Sequence, residues 1–172
     1  MNNPKVIITH TAASGKQHTA QDVDKWHKDR WPGFKSAHFK NDKGHYYHVG
    51  YHYVIEWDGK IVQCRDHSEE GAHAVGMNKS SIGVCFMGNG DNHLPSKKQQ
   101  DAWLRLHRKI SKFFPGLPTE PHRKYSPKTC HGKMLSDTYF ADMIEPNSDQ
   151  IQKLQQKVIY LMNILLTLLK EQ

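Results

Sequence analysis

Two short apolar runs limit what this chain can fold into. Residues 5–10 (KVIITH) and 81–87 (SIGVCFM) carry β-branched residues and are too short for helices. Both read as buried strands. The segments around them carry helix signals. Residues 19–30 (TAQDVDKWHKDR) open on Thr19 with Asp22 three places on. That is capping-box spacing with a shorter acid than usual, and Trp31-Pro32-Gly33 stops the run. Residues 96–114 begin on Ser96 as a cap and place Trp103, Leu106, Ile110 and Phe113 on one stripe. Asp58-Gly59, between residues 51–57 and 60–64, is a two-residue hairpin signal. Intermixed strands and helices predict an α/β domain with a mixed central β-sheet flanked by helices. Residues 35–48 are polar and aperiodic, and are expected to form a long loop at a functional rim.

The composition shifts after Ile144. This predicts a domain over 1–144 and an added C-terminal amphipathic helix over 145–172. Ile151, Leu154, Val158, Leu161, Leu165 and Leu168 follow an a/d heptad pattern. Ile159, Met162, Ile164, Leu166 and Leu169 widen that seam. A lone helix of this length is marginal, so it is expected to dock. Its own domain, a second copy in a homo-oligomer and a membrane surface are the three options. The apolar stretch 158–169 is shorter than the roughly 20 residues that cross a bilayer, so no transmembrane segment is expected. Glu145, Asp149 and Glu171 balance Lys153, Lys157 and Lys170, which leaves the net charge of +7 on the body.

A basic chain of 172 residues favours anionic partners: nucleic acid, a membrane surface or an anionic cell wall. No nucleic-acid motif accompanies the charge, so a nucleic-acid partner is not expected. Three widely spaced cysteines do not make a disulfide scaffold. Cys85 sits inside an apolar run and reads as a small core residue, and Cys64 has no evident chemistry. Cys130 remains. With His10 at a strand end and His122, it makes a two-histidine, one-thiolate set known for catalytic zinc. The spacings are non-local, and 13 histidines offer many such triples, so the residues alone leave this open. His131 is a rival ligand. His18, His27, His38, His45, His48, His67, His93 and His107 read as exposed polar groups. His52 is expected to face away from Tyr51 and to be structural. The four tryptophans read as core or rim aromatics.

Several blocks, in order, resemble one family. They are ITHTAAS, then WHKDRWPGF leading to VGYHYVIEWDGKI, the arginine of QCRD, EEGAHAVGMNKSSIGVCFMG, and PHRKYSPKTCHG. Together they resemble the zinc-dependent N-acetylmuramoyl-L-alanine amidases of type 2, which share a fold with peptidoglycan recognition proteins and small phage amidase endolysins. The resemblance covers roughly residues 5–140. It implies zinc as cofactor, held by His10, His122 and Cys130. It also implies Tyr51 and Lys128 as catalytic side chains and His73 as a histidine at the substrate cleft. Zinc at such a site lowers the pKa of its water and polarises a carbonyl. Lys128 is expected to stabilise the developing oxyanion, and Tyr51 to orient or deprotonate the water. Lys128 and Cys130 are two apart, so on an extended segment they share a face.

The implied reaction is hydrolysis of the amide between N-acetylmuramic acid and L-alanine of the stem peptide, in bacterial peptidoglycan. The implied setting is a phage endolysin that lyses the wall. The N-terminus MNNPKVIITH has no apolar signal core, so synthesis in the host cytoplasm and action on the wall after release are expected. Two alternatives are a cytoplasmic recycling amidase and a non-catalytic peptidoglycan-binding protein. In this family some recycling enzymes carry aspartate at the position of Cys130, and members that lost activity lose the cysteine. The 35–48 stretch is longer than the family connection, and the C-terminal helix lies outside the resemblance.

Overall fold

The computed structural model describes residues 1–36, 47–144 and 148–170. Most of the expected rim loop, with His38 and His45, lies outside the described residues, as does the start of the tail at 145–147. The chain forms two compact units, Met1–Ala141 and Asp142–Gln172. The first unit ends slightly before the expected boundary at 144. Phe140, near the end of that unit, stacks its ring on Phe86 at 4.2 Å in the core.

The first unit runs β1 (Val6–Thr11), α1 (Ala20–Arg30), β2 (Tyr53–Ile55), β3 (Ile61–Gln63), β4 (Ser81–Phe86), α2 (Lys97–Ser111) and β5 (Thr119–Pro121). A 3-10 turn (His122–Lys124) and the short α3 (Tyr139–Asp142) follow. The sheet order is β3-β2-β4-β1-β5. β1 pairs in parallel with β4 and β5, β2 pairs in parallel with β4, and only β3 is antiparallel. The mixed sheet is therefore as expected.

Residues side by side in a sheet share a face. His10, Cys85 and Val54 are in register and lie on one face. α1 covers it, packing Ala20 and Val23 with Val54, Val62, Cys85 and Met87. Thr11, Phe86 and Ile55 lie on the other face. There α2 packs Trp103 against Phe86, and the Gln99 amide donates to the carbonyls of Ile55 and Met87. With both faces covered, β1 and β4 need no polar alternation, which is why their sequences read as unbroken apolar runs.

The capping signals hold. The Thr19 N–H donates to the Asp22 carboxylate at 2.8 Å. Ser96 accepts from the Gln99 N–H, and Gln99 accepts from the Ser96 N–H, both at 3.1 Å. Three details differ from expectation. The hairpin turn is longer than two residues: the Gly59 N–H donates to the Glu56 carbonyl, and Gly59 alone takes positive φ, at 85°. Phe113 leaves the apolar stripe, because α2 ends at Ser111 and Phe113 is exposed. The edge strand β5 (TEP) has no strand-like pattern. Its prolines flank and end a short edge strand, where a missing N–H is tolerated.

The histidines are less exposed than expected. Among the described ones, His48 is buried, and His18, His27, His67, His93 and His107 are half-buried. His27 Nδ1 accepts the Gly50 N–H at 2.8 Å, and His67 Nε2 lies 2.7 Å from the Tyr53 hydroxyl. Trp103 is buried and Trp57 half-buried, while Trp26 and Trp31 are exposed at the rim.

In the second unit, α4 spans Ser148–Lys170. The side chains of Ile151, Leu154, Leu165 and Leu168 lie outside the described ones. Val158, Ile159, Tyr160, Leu161 and Met162 are all exposed. Five successive exposed apolar positions surround a helix rather than form a stripe. Among the described residues, no helix is long and apolar enough to cross a membrane.

Two buried histidines make the fold acid-sensitive. His52 accepts the Gly83 N–H on Nδ1 and donates from Nε2 to the Glu69 carbonyl. His131 faces the Thr9 hydroxyl on Nδ1 and donates from Nε2 to the Ser136 carbonyl. Burial lowers both to about 4 from an ordinary 6.5. Below pH 6.5 the unfolded chain takes up protons that these folded rings refuse. Stability should therefore fall as the pH drops from 6.5 towards 4, by roughly 1.4 kcal/mol per pH unit for each ring at full effect. Urea titrations at pH 7, 6 and 5 check this, and a stability unchanged over that range contradicts it.

Candidate metal centre

The site is built at the end of β1, the strand held between β4 and β5. The pairing of Thr9 with Pro121 places His122, one residue further on, beside His10. Their rings are 4.4 Å apart. Cys130 arrives on the following loop, with Sγ 3.7 Å from His10 Nδ1. Donor atoms of the three residues all lie within 4.8 Å of one another. Zinc bonded at its usual lengths to nitrogen and sulfur in a tetrahedron needs donor separations of about 3.4–3.6 Å. The residues therefore fit such an ion with small adjustment. Among the described residues, no second group of this kind was found.

The Cys130 loop is pinned by groups that the sequence does not advertise. Arg123 donates from Nη1 to the Gly132 carbonyl at 2.7 Å and from Nη2 to the Leu135 carbonyl at 2.5 Å. Asp91 accepts from the Thr129 hydroxyl and the Lys133 N–H. Gly90 and Gly132 pack backbone to backbone, so that a Cβ on Gly132 would meet Gly90 atoms at 2.2 Å. Gly132 also takes φ 126°, a region that L side chains rarely adopt.

Burial decides the protonation of the ligand set. It lowers His10 well below the usual histidine range, helped by neighbouring His73 and His122. Burial first, then the Lys128 charge, lowers His122. Both rings are thus neutral and offer lone pairs at pH 7. Burial pushes the Cys130 thiol up to about 11, against the opposing pull of a hydrogen bond with Thr11 and of the Lys128 charge.

The other expected residues are close by. The Tyr51 ring lies 4.9 Å from that of His10. Its phenol is raised well above its usual range by burial, then by Cys85 and Cys130. Gly50 lets it approach, since a Cβ there would meet the Ala72 carbonyl at 2.3 Å. Lys128 is exposed on a run of bends rather than an extended segment, so β-alternation is not what pairs it with Cys130. His73 Nδ1 lies 3.1 Å from His10 Nε2. His131 is not in the donor group. It bonds Thr9, whose side chain leaves β1 on the opposite face from His10. His52 is structural, as expected. It lies beside Gly83 on the same face as His10 and edges the His73 ring at 5.9 Å. Strand alternation does not separate it from Tyr51, because regular pairing starts only at Tyr53.

A cleft of about 720 Å³ opens two residues beyond His10. Residues 12–16, His18 and Trp26 form one side, and Asn89, Asn92 and His93 the other. The loops after β1 and β4 therefore wall a space large enough for a small ligand fragment.

The sequence matches the N-acetylmuramoyl-L-alanine amidase family over residues 1–133. The chain therefore belongs to that family, as its motifs imply. It is 30% identical over 136 residues to peptidoglycan-recognition protein SD of Drosophila melanogaster, covering 77% of this chain and 69% of the relative. It is 29% identical over 133 residues to the endolysin of Escherichia phage T7, covering 72% of this chain and 78% of the relative. The N-acetylmuramoyl-L-alanine amidase LysC from Clostridium intestinale superposes with a TM-score of 0.64 at 23% identity, covering 83% of each chain. The phage endolysin from Thermus scotoductus gives 0.65 at 20% identity, covering 84% of this chain and 86% of that one. These two structures establish the shared fold.

Proposed function

We propose that this protein is a zinc-dependent peptidoglycan hydrolase of the endolysin type. It cleaves the amide between N-acetylmuramic acid and L-alanine of the stem peptide. The observation that carries this reading is the convergence of His10, His122 and Cys130, with the Tyr51 ring tilted against His10 and Lys128 exposed at the rim. When bound, zinc supplies Lewis acidity, which polarises the scissile carbonyl and makes water a better nucleophile.

The chain's own groups do the rest. His10 and His122 present lone pairs because burial keeps them unprotonated. Cys130 would bind a cation as the thiolate, its proton passing to water, so metal uptake would release acid. Tyr51 keeps its proton at pH 7, where its hydroxyl bonds Cys85, and turning that donor towards the ligand would orient water or the carbonyl. Lys128 puts a positive charge where negative charge builds on the carbonyl oxygen. The net charge of +7 draws the body towards an anionic wall. Synthesis within a host cell, followed by release to the wall, fits this reading. Hydrolysis of intact sacculi distinguishes it from a recycling enzyme, which prefers soluble muropeptides.

Purified protein should hold one zinc per chain and lose sacculus clearing in a chelator. Metal analysis finding none, with clearing intact in the chelator, contradicts the reading. Lys128→Ala should keep its zinc and fold but lose hydrolysis by roughly 10²-fold or more. Tyr51→Phe should act in the same direction more mildly. Wild-type rates for both variants would remove the assigned roles.

We infer further that α4 mediates self-association, because its exposed apolar positions surround the helix. Full-length protein should sediment as an oligomer, and a chain truncated after Asp149 as a monomer with zinc uptake intact. Light scattering that finds the full chain monomeric across micromolar concentrations contradicts this.

A further inference from the structure

His73 occupies a slot that two glycines leave for it. A Cβ on Gly71 would lie 2.4 Å from its ring, and one on Gly83 would lie 2.6 Å away. Neither glycine takes a positive φ, so space is the reason for both. Asn78 Oδ1 accepts the backbone N–H groups of His73 and Ala74 at 2.9 and 2.8 Å, closing the loop beneath the ring. A ring gripped in this way has little freedom to swing towards a ligand.

Its hydrogen bonds have one consistent direction. The Ser81 hydroxyl donates to the Met77 carbonyl at 2.7 Å. A carbonyl can only accept, so the single hydroxyl proton is committed there. Ser81 Oγ can then only accept from His73 Nε2, 3.4 Å away. That places the His73 proton on Nε2 and leaves Nδ1 as an acceptor. His10 Nε2, 3.1 Å from His73 Nδ1, must then carry the His10 proton. His10 Nδ1 is left bare, and it is the nitrogen 3.7 Å from Cys130 Sγ.

We propose that Ser81 and His73 are positioning residues that fix the tautomer and ring angle of His10, so that Nδ1 faces the metal before it arrives. This rests on the zinc reading above. Without Ser81, the opposite polarity is equally open: His73 Nδ1–H would donate to His10 Nε2, and the His10 proton would block the nitrogen that has to bind. A ligating histidine is tuned by the group its other nitrogen meets, and loss of such a group weakens metal binding by about 10–100-fold. Ser81 is fully buried, and His73 is the group through which its hydroxyl reaches His10.

The test is zinc affinity of the metal-free full chain, measured by competition with a chromophoric chelator. Ser81→Ala and His73→Leu should each bind zinc about 10–100-fold more weakly than wild type. His73→Asn should recover most of the loss, because its Oδ1 sits where Nδ1 was and can only accept. Thermal melts of the metal-free proteins show whether the slot itself has collapsed, and Ser81→Ala is the gentler change if His73→Leu fails to fold. Nitrogen-15 spectra of the imidazoles should show His10 protonated on Nε2 in wild type and a tautomer mixture in Ser81→Ala. Wild-type zinc affinity in both variants, with only KM raised, overturns the proposal and returns His73 to a substrate contact. A wild-type chain that takes up no zinc overturns the metal reading itself.

Discussion

The parallel pairing of β1 with β5 is the interaction on which the site depends. β5 has only three residues, yet its register with β1 sets His122 beside His10. Slipping that pairing by one residue would turn the side chains of β5 to the other face. The Cys130 loop is then drawn in by Arg123, Asp91 and the Gly90–Gly132 contact. A short edge strand and one pinned loop thus convert three residues far apart in sequence into one donor set.

The same packing gives the donors their chemistry. His10 lies on a strand buried on both faces, so its ring is dehydrated and neutral. Cys130 is half-buried, so its thiol stays protonated until something positive displaces the proton. Burial therefore makes a poor home for protons at the imidazoles and an unstable one for a bare thiolate. A divalent cation resolves both, since it needs neutral imidazoles and supports a thiolate. Tyr51 follows the same logic: half-buried beside two cysteines, its phenol keeps its proton rather than ionising.

Much of this is legible in the sequence. The apolar runs, the Ser96 cap and the Thr19–Asp22 box announced their elements because those signals are local. His10, His122 and Cys130 were legible through the motif blocks, since spacing alone could not pick them from so many histidines. β5 was not, because TEP carries no alternation and its pairing is a long-range fact. Asn78, Asp91 and Arg123 were missed for the same reason: each closes a loop, and loop closure leaves no periodic trace. Asn78 was available within the GAHAVGMN block, where an amide five residues after a histidine could have been read as its clamp. Among the described residues, the histidines expected to be exposed are buried or half-buried, because each ring packs on or bonds to a neighbour that only the tertiary fold supplies.

The central claim is that one ion is held by two imidazoles and the Cys130 thiolate. X-ray absorption at the zinc edge, on protein loaded with one equivalent, addresses it most directly. The account predicts one sulfur scatterer at about 2.3 Å and two imidazole nitrogens at about 2.0–2.1 Å, with a further light atom completing four-coordination. The sulfur shell should vanish in Cys130→Ser. A first shell of nitrogen and oxygen alone in the wild-type chain would contradict the account.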